Sequence, residues 1–129
     1  MTFLPIVVFA IRIYHACEVL DSLTMEMQLM LSVSLFVRLE AKPGKADDVA
    51  AFLAQGLEMA NQEATTPLWF ALRLGPTTFA IFDAFNDEAG RQAHLTGPIA
   101  AALMANAPNL LASPPSIERA DVLGAKLPT

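Results

Sequence analysis

The sequence predicts an α+β domain in which helices cover one face of a four-stranded antiparallel sheet. Two observations predict this class. Segments in which apolar and polar residues alternate, as in strands, are separated by segments whose apolar residues recur every three or four positions, as in helices. The segments follow one another as strand, helix, strand, strand, helix, strand, and their boundaries carry residues typical of turns and helix ends.

The strands are predicted from alternation and from the turns between them. The Pro43-Gly44 pair ends the first strand, and the Gly75-Pro76 pair separates the second from the third, which indicates a hairpin. The four predicted strands are Ser32–Glu40, Leu68–Leu74, Thr77–Phe85 and Ile117–Leu127.

The longest predicted helix is Ala46–Glu63. Asp47 and Asp48 lie in its first turn, where negative charge is favourable. Its apolar positions follow the spacing of one buried helical face. They are Ala46, Val49, Ala50, Leu53, Leu57 and Ala60.

Two shorter helices are predicted after the hairpin. Asn86 or Asp87 caps the first, which runs to about Leu95. Its small residues are expected on the face that packs against the sheet. The second helix covers Pro98–Ala107 and begins with a proline, which suits a first helical turn. The segment Pro108–Ser116 is predicted to be a loop.

The resulting βαββαβ order is that of the ferredoxin-like fold. Both faces of the predicted sheet carry large apolar residues, while the helices cover only one. Apolar residues make up 54% of the 129-residue chain and charged residues 16%, against typical values of about 45–50% and about 25%. A homodimer that packs sheet against sheet is therefore expected.

The net charge of −5 and the scatter of the eight basic residues argue against a nucleic-acid partner. Cys17 is the only cysteine, which excludes an intrachain disulfide and a thiolate metal cluster and favours a reducing, cytoplasmic setting.

The N-terminal segment does not fit the strand and helix pattern. Its apolar run Phe3–Ile13 is too short to span a membrane, and Arg12 interrupts it. No membrane partner is expected. We predict that residues 1–28 form an extension or a loosely packed arm and that residues 29–129 form the domain.

Two motifs carry a resemblance to a known family. The first is VRLEAKPGKADDVAAFL (Val37–Leu53), in which a strand and a Pro-Gly-Lys turn precede an acidic helix start. The second is FAIFDAFNDEAGRQAH (Phe79–His94), in which a strand with a carboxylate precedes a helix that ends in histidine. In order and spacing the two motifs resemble the antibiotic biosynthesis monooxygenase family, over roughly residues 31–127.

The resemblance implies a dimeric α+β barrel with a pocket between helices and sheet for an aromatic or quinol-like compound. Characterised members oxygenate such compounds with molecular oxygen and without metal, flavin or haem, so no cofactor is expected. Phe85 stands where the family usually has tryptophan. The first strand lacks the asparagine that the haem-degrading branch needs, which argues against haem breakdown.

His94 and Asp83 are the candidate catalytic residues. The imidazole of His94 could act as a general base, since its ordinary pKa of about 6.5 suits that role. Alternatively, His94 is a helix-end residue that interacts with the helix dipole. Asp83 lies on an apolar strand face and needs a hydrogen-bond donor. It could pair with Arg73 or Arg38, which we favour slightly, or orient His94 or a substrate hydroxyl.

Apolar and aromatic residues of the domain are candidates for lining a substrate cavity, although most could equally be ordinary core. No metal site is expected, because the motifs that bind metals are absent. The candidate substrate-binding residues are Ser34, Phe36, Trp69, Phe82, Phe85, Leu103 and Met104.

Three functions remain open from the sequence. The first is a cofactor-independent monooxygenase that uses molecular oxygen on a phenolic, quinol or polyketide-like aromatic substrate. The second is a non-catalytic protein that binds a small ligand or serves a stress response on the same fold. The third is an isomerase or lyase that uses the same base without oxygen.

Overall fold

A computed structural model describes residues 30–128 and contains four strands and three helices. No helix within this range is long and apolar enough to cross a membrane. The predicted arm, residues 1–28, lies outside the described residues, so the division at residue 28 stays a prediction. The elements are β1 (Val33–Glu40), α1 (Ala46–Gln62), β2 (Leu68–Arg73), β3 (Thr78–Phe85), α2 (Glu88–Leu95), α3 (Pro98–Leu110) and β4 (Ser116–Asp121).

The four strands form one antiparallel sheet in the order β2-β3-β1-β4. The predicted α+β class and the ferredoxin-like arrangement are thereby confirmed. β1 and β3 are its two central strands, and Val37 pairs with Ile81 between them. Side chains alternate between faces along a strand, so the odd-numbered residues of both central strands share one face.

The main core lies between this face and the helices. Leu39 and Phe79 pair across the two central strands and are both buried. From the helices, Leu53 of α1 and Leu103 of α3 pack into the same cluster. Burial of these side chains removes apolar surface from water, which is the main stabilising contribution in a domain of this size.

The buried side of α1 differs from the predicted one at one position. Leu57, expected to be buried, is 47% exposed, whereas the neighbouring Gly56 is buried. The cause is Trp69 of β2, which packs over this turn of the helix. A Cβ atom at Gly56 would lie 3.4 Å from the indole ring of Trp69.

The third helix is longer than predicted and contains Pro108. The expected loop from Pro108 is therefore wrong for its first three residues. A proline inside a helix lacks the amide proton of the ladder and weakens it. Here Lys42 supports the last turn, since its amide donates to the carbonyl of Leu110 at 2.9 Å and its Nζ atom donates to the carbonyl of Pro108.

The last strand is shorter than predicted and ends at Asp121 instead of Leu127. Asp121 pairs with Val33, the first residue of β1. Residues after Asp121 therefore have almost no residues of β1 left as partners. A single additional bond from the Val122 amide to the carbonyl of Ser32 closes the ladder.

The second face of the sheet is apolar, and no helix within residues 30–128 covers it. Phe36, Phe70 and Phe82 lie side by side across three strands, because they are partners in register. Phe70 is 50% exposed within the described residues. This face, called here the open face, is defined by Phe36, Phe70, Phe82 and the even-numbered strand residues around them.

Candidate active site

Strand β3 places Asp83 on the helix-covered face. Asp83 follows Phe79 and Ile81 on the same side of the strand, and its backbone pairs with Leu35 and Trp69. Its side chain is 1% exposed. A carboxylate at this depth is costly unless it has a charged or hydrogen-bonding partner. The partner comes from the helix that follows the strand.

That helix, α2, begins at Glu88, three positions after β3 ends at Phe85. Asp87 caps it, as one of the two predicted choices, by accepting a hydrogen bond from the amide of Gly90 at 2.8 Å. Gly90 packs tightly, because a Cβ atom there would lie 3.0 Å from the carbonyl oxygen of Thr65. This close approach fixes the helix against the loop that follows α1.

The face of α2 that is buried is polar, unlike the predicted face. Ala89 and Ala93 are exposed, while Arg91 and His94 are buried together with Gly90. The guanidinium Nη1 of Arg91 donates to the carbonyl oxygens of Ser34 and Ala120, at 3.2 and 3.3 Å. Arg91 also pairs with Glu88. The polar side chains turn inward because they find partners on the sheet.

His94 meets Asp83 at the end of this helix. The distance from His94 Nε2 to Asp83 Oδ2 is 3.0 Å, and the imidazole side chain is 7% exposed. The pairing of Asp83 with an arginine, which the sequence analysis favoured, is wrong. Arg38 lies on the open face, and Arg73 pairs with Phe79, roughly 13 Å along the strand from Asp83. The guanidinium of Arg73 donates instead to the carbonyls of its own turn.

The other ring nitrogen of His94 contacts Glu63, which was not among the candidate site residues. Glu63 Oε2 lies 2.7 Å from Nδ1 of His94 and accepts a hydrogen bond from the Thr66 hydroxyl at 2.8 Å. The Thr66 hydroxyl itself is 3.4 Å from Nδ1. Glu63 ends α1 in sequence and looked like a solvated helix terminus. The one sequence feature that could have indicated its inward position is Thr66, three residues later, whose hydroxyl can donate to the carboxylate.

Glu63, His94 and Asp83 form what we call the carboxylate–histidine cluster. Burial, the largest single influence on His94, lowers its pKa, but Asp83 and Glu63 together outweigh burial. They raise the pKa of His94 above its ordinary value of 6.5. Glu63 Oε2 contacts Nδ1 of the ring and Asp83 Oδ2 contacts Nε2, while Oδ1 of Asp83 has no hydrogen-bond partner among the described residues.

More polar atoms near the cluster lack partners. The indole Nε1 of Trp69 and the Oε1 atom of Glu63 are buried without a hydrogen bond within residues 30–128. Trp69 is the register partner of Asp83 and shares its face of the sheet. A buried donor and buried acceptors without partners are costly and are rare in native proteins. They mark this end of the face as suited to a polar group of a ligand.

The candidate substrate-binding residues divide between several places. Phe85 packs on His94, with ring centroids 5.4 Å apart, and Trp69 lies beside Asp83. Leu103 belongs to the main core. The remaining candidates lie away from the cluster: Ser34, Phe36 and Phe82 are on the open face, and Met104 is exposed on α3.

Three of the cavities formed by the described residues are lined by neither His94 nor Asp83. One of about 390 Å³ lies beside Pro108 and the following loop. One of about 330 Å³ lies on the open face beside Phe70 and the C-terminal segment. The third, about 260 Å³, is a cleft between α1 and the sheet, lined by Leu53, Ala71 and Phe79 among others.

Known proteins resemble this chain to different degrees. No protein-family profile and no curated protein sequence matches it. A protein of unknown function from Nitrosomonas europaea, NE2512, is 63% identical over 78% of this chain and 97% of its own, with a TM-score of 0.76.

More distant solved structures share the fold. A Nitrosomonas europaea protein provisionally named an antibiotic biosynthesis monooxygenase is 16% identical, over 71% of this chain and 90% of its own, with a TM-score of 0.65. A protein of the same provisional name from Bacteroides thetaiotaomicron is 17% identical, over 76% and 95%, with a TM-score of 0.63. At such identities the likeness concerns the fold alone.

Proposed function

Because the chain belongs to the same family as the NE2512 protein of Nitrosomonas europaea, whose function is unknown, we propose a function from the site itself. The protein is a cofactor-independent monooxygenase that acts with molecular oxygen on a small phenolic, quinol or polyketide-like aromatic compound. The observation that carries this proposal is the buried pair of Asp83 and His94, in which Asp83 Oδ2 lies 3.0 Å from Nε2 of a histidine whose side chain is only 7% exposed. The resemblance in fold to provisionally named monooxygenases supports it.

The pair supplies the proton acceptor that such a reaction needs. A substrate hydroxyl donates its proton to Nε2 of His94, and the carboxylate of Asp83 stabilises the imidazolium that forms. The resulting phenolate passes an electron to oxygen. Overall, the substrate loses its hydroxyl hydrogen and one ring hydrogen, one oxygen atom becomes a quinone carbonyl, and the other leaves as water. The substrate therefore provides all four electrons that reduce the oxygen.

The cleft between α1 and the sheet is the proposed binding site for the aromatic ring of the substrate. Of its lining residues, Ala71 and Phe79 are on the helix-covered face, and Leu53 packs from α1. Ala71 follows Trp69 on the same face of β2, and Trp69 is the register partner of Asp83. A substrate that displaces the indole reaches the pair, and Trp69 Nε1 is a donor for its oxygen.

The test is oxygen consumption with a panel of quinols and phenols. The wild type is expected to consume one molecule of oxygen per substrate oxidised. His94→Gln is expected to lower kcat/KM about a hundredfold, the usual scale for loss of a general base, and Asp83→Asn is expected to lower it less. Glu58→Gln, an exposed change on α1, is the matched control and leaves the rate unchanged. Equal rates in wild type and His94→Gln, or no uptake with any compound, would overturn the proposal.

A second candidate is a non-catalytic protein that binds a small aromatic ligand in the same cleft. The specific observation in its favour is that carboxylates already occupy both ring nitrogens of His94. The single tryptophan, Trp69, is a fluorescent probe for binding in the cleft. Saturable quenching by a quinol without any oxygen uptake supports this candidate over the first.

We also propose that two copies associate through the open face. Such an interface buries on the order of 2,000 Å² or more. Phe70→Glu is expected to give monomers in sedimentation at micromolar concentration, because the charge would be buried at the interface. Leu57→Glu is the control, since Leu57 is similarly exposed but lies on α1. A wild-type protein that sediments as a stable monomer contradicts the proposal.

A further inference from the structure

Glu63 lies just after the last turn of α1 and has its carboxylate turned inward. Its Oε2 atom contacts His94 Nδ1 at 2.7 Å and the Thr66 hydroxyl at 2.8 Å. The side chain is only 14% exposed. Two partners, one from the adjoining loop and one from α2, therefore hold the carboxylate in one place.

We propose that Glu63 is a positioning residue that keeps a proton on Nδ1 of His94, so that Nε2, the nitrogen that faces Asp83, is the one that gains and loses a proton. An ionised carboxylate accepts hydrogen bonds and donates none, so it favours a protonated Nδ1 and disfavours a bare one. The partner of one ring nitrogen thus decides the state of the other. The role in turnover rests on the proposed function, whereas the orientation of the ring does not.

The charges around His94 support the assignment of this effect to Glu63. Asp83 faces the ring from β3, and Glu63 faces it from the end of α1. Arg91, on the same helix as His94, is engaged with two backbone carbonyls and with Glu88. The third helix, which packs against α2, contains no ionisable side chain. Strand β1 contributes Ser34 and Leu35 beside this end of the sheet.

The simpler alternative is that Glu63 only ties the end of α1 to α2. In that case, its removal lowers stability without changing the protonation of the ring. Glu63→Gln separates the two roles, because the amide oxygen still accepts from Nδ1 while the negative charge is lost. Glu63→Ala removes the acceptor as well.

The experiment is a histidine-specific ¹⁵N NMR titration of the full chain, with the His94 signals assigned from His94→Gln. In the wild type, Nδ1 is expected to remain protonated while Nε2 titrates. Glu63→Gln is expected to move the midpoint to lower pH, because the anion that favours the imidazolium is gone. Glu63→Ala is expected to move the proton of the neutral ring from Nδ1 to Nε2, because Asp83 is then the only carboxylate that faces the ring. Glu58→Gln is the control and leaves midpoint and tautomer as they are.

A Glu63→Gln protein with the wild-type midpoint overturns the proposal, whether or not Glu63→Ala folds. With an active substrate, the limb of the kcat/KM profile that rises with pH is expected to move to lower pH in Glu63→Gln. A purely structural role would leave that limb in place. If the NMR midpoint moves but no variant consumes oxygen, the proposed function fails while the role of Glu63 stands.

Discussion

The two ends of the helix-covered face of β3 are built from different interactions. At one end, Phe79 and Ile81 pack into an apolar cluster with α1 and α3. At the other end, Asp83 is equally buried but is compensated by His94 and, through it, by Glu63. The strand, its register and its partner β1 are the same at both ends.

The difference shows which end of this face contributes stability that depends on pH. Apolar packing depends on volume and is insensitive to pH, whereas the contacts of the carboxylate–histidine cluster depend on the protonation of His94. Local sequence rules are usually broken where a site does chemistry. At the end of β3 that contains Asp83, a carboxylate takes a position that alternation assigns to an apolar residue. The proposed activity lies at this end.

The largest expected effect comes from the apolar end. Phe79→Ala is expected to lower the free energy of unfolding by roughly 3–5 kcal/mol, because a buried aromatic ring is lost and a cavity is left. Urea denaturation at pH 7 measures it. Leu57→Ala, at a half-exposed position, serves as the control and should change the free energy by less than about 1 kcal/mol. Similar losses in the two variants would mean that this end is not the core.

A smaller effect is expected from the polar end. Asp83→Asn should lower the free energy of unfolding by roughly 1–3 kcal/mol, because the amide weakens the contact with His94 and buries donors without acceptors. Asp121→Asn, at an exposed position on β4, makes the same chemical change and should stay within about 0.5 kcal/mol. An Asp83→Asn protein as stable as the wild type would show that the cluster contributes nothing to folding.

The smallest expected effect is the pH dependence of stability that His94 contributes. The pKa of His94 is raised in the folded protein, so the folded state holds this proton more tightly than the unfolded state. The stabilisation is therefore complete below about pH 6.5 and is lost as the pH rises through the raised pKa. Urea midpoints between pH 6 and pH 9 should fall less steeply in His94→Gln than in the wild type. Parallel curves would argue against the raised pKa.

Most of the fold could be predicted because it depends on local patterns. The three N-terminal strands and α1 end within about one residue of their expected limits, since alternation and turn residues act locally. Pro108 and the end of β4 could not be predicted. The helix continues through Pro108 because of distant Lys42, and β4 stops where β1 begins, so both depend on segments far away in sequence.

The site could be predicted only in part. His94 and Asp83 stood out as a histidine and a carboxylate in unexpected places, and the structure brings them together. Glu63 looked like a solvated helix end. Its contact with His94 joins residues 31 positions apart and forms only after the chain has folded back on itself. The inward turn of Arg91 also depends on carbonyl groups of two strands that its helix alone does not reveal.

The support of the last turn of α3 by Lys42 has a consequence for the order in which the chain becomes structured. The bond from Lys42 Nζ to the Pro108 carbonyl spans 66 positions of sequence. A helical turn that contains proline gains little from its own ladder, so it cannot form early as local structure. Its amides should become protected from solvent exchange only when the turn after β1 has docked. This dependence couples α3 to β1 in a single cooperative unit.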